Sequence, residues 1–237
     1  MRQIVSMLIC ALMICQSASP GIIVRRRGVA AAGGSPPAFD AVSNSSASAS
    51  SPIQWNHTIT GSNPVLMVGL GADFSLSGAA CTFNGVSMTK LYDLTDSLSI
   101  YRSAAFILAG PASGTHQISC TASGASVWVG AAQSWTGVNQ TTPNRTPTTA
   151  IDTAGPAATV TAANSQNNDV VLDLLVVYGA SSTVASAQTA RVMVHNPSST
   201  SLSIGLSSAS ATGANTVMSY TGSPNSVWTI GAIPIMP

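Results

Sequence analysis

The chain has 237 residues and a formal net charge of +1, from eight Lys and Arg against seven Asp, with no Glu. Charged residues make up only 6% of it, against about a quarter in soluble proteins at large. That composition favours strands and turns over helices, whose solvated faces need Glu, Lys and Arg. It also leaves no dense basic footprint with which to bind nucleic acid.

The first apolar run, Ile4 to Cys15 behind a single Arg2, has the length and layout of a secretory signal peptide and is short for a membrane span. The triplet Arg25-Arg26-Arg27 beyond it resists translocation, which would instead retain the segment as an anchor. Both fates are open, and membrane contact is expected only if the segment is retained. Residues 1–34, which end in an Ala/Gly-rich linker, are therefore set apart from a single β domain over 35–237.

Phe39 to Val42 reads as an edge strand. Ile53, Trp55, His57 and Ile59 alternate with polar residues, the pattern of a strand with one buried face. Pro64 to Leu70 is apolar on both faces and is expected at the centre of a sheet. Asn84-Gly85 between Phe83 and Val86 is a strong hairpin signal. Further strands are expected over 98–108, 115–121, 126–135, 169–178, 190–195, 201–206, 216–220 and 227–233. Residues 143–168 read as a long polar connection with room for one short strand, at 158–161. About a dozen strands suit an all-β fold, a two-sheet antiparallel β-sandwich of jelly-roll type.

Cys81 and Cys120 each share a strand face with apolar neighbours. A disulfide between them would close a loop of about 40 residues, worth roughly 4 kcal/mol by loss of chain entropy. Two buried thiols acting as small apolar residues are the alternative.

Chemistry is sparse. His57 and His116 fall on apolar strand faces, and His195 ends a strand. No metalloprotease, nucleophile-elbow or phosphate-loop motif occurs. Asp93 and Asp96 lie close together in an expected loop, where a solvated turn explains them better than a calcium site. Asp169 is expected to end a turn, and Asp173 to hydrogen-bond within a sheet edge. No catalytic residue, metal or cofactor is expected. The aromatic residues Trp128, Trp135, Trp228 and Tyr101 are the candidates for ligand contact, as sugar-stacking platforms. That role requires two or more of them on one exposed face.

Several phrases carry a resemblance: Phe39-Asp40-Ala41, Trp55-Asn56-His57-Thr58, Asn63 to Gly69, Phe83 to Thr89, Gly110 to His116, and Gly137-Val138-Asn139-Gln140-Thr141-Thr142-Pro143. Over residues 39–143 the order of these landmarks resembles a family of jelly-roll β-sandwich surface modules in bacterial and phage-encoded proteins. The resemblance implies a non-catalytic module of a cell envelope or virion, of decoration, spike or fibre type. Its expected location is extracellular, at a cell surface or on a virion, and its partners would be other protein subunits. A carbohydrate-binding module, with glycans as partners, is the alternative.

Overall fold

A three-sheet stack, shown by a computed structural model, organises the chain. The structure describes residues 34–237 apart from 49, 125–126, 179–181 and 196–201, with 152–156, 182–183 and 222–226 described in backbone only. The signal-or-anchor segment lies outside the described residues, among which no helix is long and apolar enough to cross a membrane.

The strands are β1 (Ala38–Asn44), β2 (Ile53–Ile59), β3 (Val65–Asp73), β4 (Ser77–Phe83), β5 (Val86–Ser87), β6 (Thr89–Thr95), β7 (Tyr101–Ala109) and β8 (Gly114–Ser123). They continue with β9 (Trp128–Thr136), β10 (Thr148–Ala162), β11 (Val170–Tyr178), β12 (Ser182–Val184), β13 (Thr189–His195), β14 (Leu202–Ser210) and β15 (Thr216–Ile235). A central sheet runs β1-β9-β3-β7-β6, a small sheet β2-β8-β4-β5, and a large sheet β10-β15-β11-β14-β13 with β12 on β15. All the strand pairs are antiparallel.

The all-β antiparallel sandwich is as expected from the sequence, but its layers number three rather than two. The reason lies in β3, whose sequence VLMVGLGAD is buried at every position. Leu66, Val68 and Leu70 pack with Trp55, Phe83 and Ile118 toward the small sheet. Val65 and Met67 pack with Leu172, Leu174 and Ile204 toward the large sheet. Period-2 alternation sends successive side chains to opposite faces, so a strand apolar at every position needs a layer on each side.

The large sheet is itself covered on both faces. The 157–162 half of β10 pairs with the 216–221 half of β15. That flap closes over the outer face of β11, packing Val160, Met218 and Tyr220 on Val171, Leu175 and Trp228. The polar connection expected over 143–168 is thus mostly a 15-residue strand. Its Thr, Ala and Gly residues carry no apolar alternation, and only the partner β15 makes it a strand.

One further expectation changes and another is met. Residues 89–95, expected partly as loop, form the edge strand β6, paired with β7. The hairpin turn occurs at Asn84 and Gly85, with φ of 49° and 77°, the left-handed conformations that a two-residue turn of this kind demands. After it β5 lasts only two residues, because Met88 turns into the core and the chain crosses to the central sheet.

Candidate functional site

The four aromatic candidates come first. Trp128 is 2% exposed, Trp135 3%, Tyr101 4% and Trp228 6%. Trp128 donates its indole N–H to the Ser50 carbonyl at 3.1 Å and sits in the core beneath the small sheet. Trp135 donates to Gln133 Oε1 at 3.2 Å between the central and large sheets. Tyr101 packs in the same layer, its ring 6.0 Å from that of Tyr178. Trp228 lies under the β10–β15 flap, its Nε1 buried without a hydrogen-bond partner among the described residues. No two of the four share an exposed face: Trp135 alone reaches the edge of a surface concavity, and the four are distributed over three different cores. The sugar-platform expectation is corrected accordingly: each added layer covers the face on which an aromatic had room.

Trp55 shows how closely the layers meet. A Cβ at Gly130 would lie 2.4 Å from its ring, so only glycine admits the indole there. Cys81 and Cys120, directly opposite on β4 and β8, are joined as a disulfide.

A chain of polar side chains surrounds His57, which is buried on β2. Trp55 Nε1 donates to Ser43 Oγ at 3.0 Å, which leaves the Ser43 hydroxyl hydrogen for His57 Nδ1 at 2.7 Å. His57 Nε2 must then carry the proton and donate to Ser134 Oγ at 2.9 Å. Ser134 in turn donates to Asp40 Oδ2 at 2.8 Å. The relay Trp55–Ser43–His57–Ser134–Asp40 ties β1, β2 and β9 together. Burial draws the His57 pKa down to about 4, against a smaller upward pull from Asp40. Burial also raises the Asp40 pKa, but the hydrogen bonds from Thr60 and Ser134 outweigh it and the net displacement is downward. A serine, a histidine and a carboxylate are present, yet the carboxylate reaches the imidazole only through Ser134. The Ser43 oxygen already holds an indole N–H, and so weak a base makes a poor partner for a nucleophile.

Asp173 forms the second cluster. Sequence reasoning placed it at a sheet edge, but β11 is interior, between β15 and β14. Its Oδ1 accepts from the Ser207 N–H and the Tyr220 hydroxyl, both at 2.7 Å. Its Oδ2 accepts from Ser207 Oγ at 2.7 Å and Gln188 Nε2 at 3.2 Å. Burial pushes its pKa up to about 6 against these hydrogen bonds. Tyr220 belongs to the flap, so this carboxylate fastens the flap to the sheet beneath.

The remaining buried acids do similar work. Asp96, expected in a solvated turn, is buried and organises the β6–β7 turn, accepting from the N–H groups of Leu98, Ile100 and Tyr101. Asp93 is a strand residue whose carboxylate pairs with Lys90 at 3.3 Å. Asp73 Oδ1 accepts from Val127 N at 2.7 Å, and Asp169 holds Arg145 through Nε at 2.6 Å. Among the described residues no three His, Cys, Asp or Glu side chains gather as a metal would require. His116 sits half-buried at the rim of the small sheet, edge-on to Phe83, and His195 bonds Ser203 Oγ at 2.9 Å.

One group escaped sequence reasoning altogether. Arg191 on β13 stacks its guanidinium 4.1 Å from the ring centre of Phe39 and 5.0 Å from that of Trp135. It forms one wall of a concavity at the seam between the central and large sheets. Nothing in the sequence around Arg191 announces this, because Phe39 is 152 positions away and lies in another sheet.

Neither a family model, nor a curated protein, nor a solved structure matches this chain.

Proposed function

We propose that this chain is a non-catalytic structural module that stands among other protein subunits in a surface assembly, on a cell envelope or a virion. The observation that supports this reading is the use to which the chain puts its few ionisable groups. Asp73, Asp96, Asp169 and Asp173 are all buried, and each accepts hydrogen bonds that fasten a turn, a loop or a flap. Carboxylates used in this way add rigidity and are removed from the solvent-facing surface. What faces outward is largely hydroxyl and amide, as at Thr58–Thr115 and Thr159–Ser219, whose hydroxyls bond across neighbouring strands. A stiff body with a nearly uncharged coat suits a repeated element outside the cell.

Quantitative mass spectrometry of purified virions and of envelope fractions tests the reading. A structural module is expected in many copies per particle or as an abundant envelope component. Absence from both fractions would count decisively against it.

A further inference from the structure

The concavity beside Arg191 has the composition of a ligand site. Its volume is about 230 Å³, and Trp135, Val170, Thr189, Arg191, Ser208 and Ser210 line it. Arg191 sits where the β13–β14 register slips, between the pairs Ala190↔Ser207 and Val192↔Leu206. A bulge of this kind re-aims the side chain of the extra residue, and here it turns the guanidinium onto Phe39 and Trp135. Arg191 Nε donates to Ser208 Oγ at 2.9 Å, whereas neither Nη has a hydrogen-bond partner among the described residues.

Among the described residues the guanidinium also lacks a counter-ion. The two ion pairs among the described residues are Lys90–Asp93 and Arg145–Asp169. The nearest acid on the neighbouring edge strand, Asp40, is engaged with Thr60 and Ser134 on the small-sheet side. Burial lowers the Arg191 pKa, the direction expected of a cation withdrawn from water without an anion. With its face against an aromatic ring and its Nη edge unpaired, a guanidinium is set to take a carboxylate through two parallel hydrogen bonds.

We propose that this concavity binds the carboxylate of an acidic sugar of the uronic acid type, with Arg191 taking the carboxylate. The hydroxyls of Thr189, Ser208 and Ser210 supply donors and acceptors for the ring hydroxyls of such a ligand. The volume is below the roughly 300–1,000 Å³ of sites for drug-sized molecules, so it admits a single sugar residue, free or at the end of a chain. The site stands apart from the scaffold reading, and either can fail without the other.

The test is a titration of the full chain with D-glucuronate, following the arginine Nε–H signals by NMR. D-glucose and acetate serve as separate arms, and a short oligogalacturonide distinguishes a chain end from a free sugar. The Arg191 signal is expected to move saturably with millimolar glucuronate, an affinity within reach of two charge-assisted hydrogen bonds. Glucose should leave it in place and acetate should bind more weakly. Arg191→Gln should weaken glucuronate binding by at least about tenfold. Arg191→Lys, which retains the charge but not the planar fork, should also weaken it. A signal unmoved by glucuronate would overturn the proposal, and so would glucose or acetate binding as tightly. The titration of the unmodified chain decides the matter even if the variants are unstable.

Discussion

Histidine 57 and aspartate 173 impose opposite pH dependences on the same molecule. The folded His57 has a pKa of about 4 against an ordinary 6.5, so between those values the unfolded chain binds the extra proton. Stability from this group is therefore present above pH 6.5 and falls as pH drops toward 4, by about 3 kcal/mol in all. Asp173 has a folded pKa of about 6 against an ordinary 3.8, so there the folded chain holds the extra proton. Its contribution falls as pH rises from 3.8 to 6, again by about 3 kcal/mol. The two slopes nearly cancel between pH 4 and 6, and single substitutions should expose them. His57→Gln is expected to give stability that falls with rising pH over that window, and Asp173→Asn stability that rises. Urea midpoints at a series of pH values read both, and identical slopes in the parent and both variants would refute the pair of assignments. The sequence placed His57 on an apolar strand face and Asp173 at a sheet edge. It did not reveal their partners, because Ser134 and Tyr220 reach them from strands 77 and 47 positions away.

At the scale of elements, the small sheet has the fewest strands and the shortest of them. Its turn strand β5 contributes two residue pairs, Thr82↔Ser87 and Phe83↔Val86. The disulfide between β4 and β8 offsets this by closing a loop between residues 39 apart. Loss of that closure should cost about 4 kcal/mol on chain-entropy grounds. Replacing both cysteines with alanine is expected to lower the urea midpoint accordingly, and reduction of the parent should do the same. A midpoint unchanged after thiol titration confirms full reduction would contradict the estimate. Strands with a clear alternating or wholly apolar pattern, such as β2, β3 and β11, were legible in sequence. The flap strand β10 was legible only in part, over 158–161, since the rest of a run of Thr, Ala and Gly becomes a strand only when another strand supplies its hydrogen bonds.

For the whole molecule, the consequence of three layers is a shared fate. Val65, Met67, Ile107, Val129 and Trp135 on one side of the second core belong to residues 65–135, while Leu172, Leu174, Ile204 and Ile233 on the other belong to residues 172–233. Neither half can unfold without exposing the other's buried face. Calorimetry should therefore show one transition with equal calorimetric and van't Hoff enthalpies. A fragment of residues 34–143 should associate or remain unfolded under conditions where the full chain is monodisperse. Two resolved transitions, or a folded monomeric fragment, would show that the layers are independent.

The sequence by itself determined the all-β class, the hairpin at Asn84-Gly85, the central position of β3 and the sparseness of reactive groups. Each of these is written in local spacing or in composition, within reach of a few neighbouring residues. Only the tertiary structure decided the number of layers, the burial of Trp128, Trp135, Trp228 and Tyr101, and the meeting of Arg191 with Phe39. Period-2 alternation tells which side chains share a face, but not whether another sheet covers it. Stacking is set by contacts between distant strands, where no local pattern records the partner.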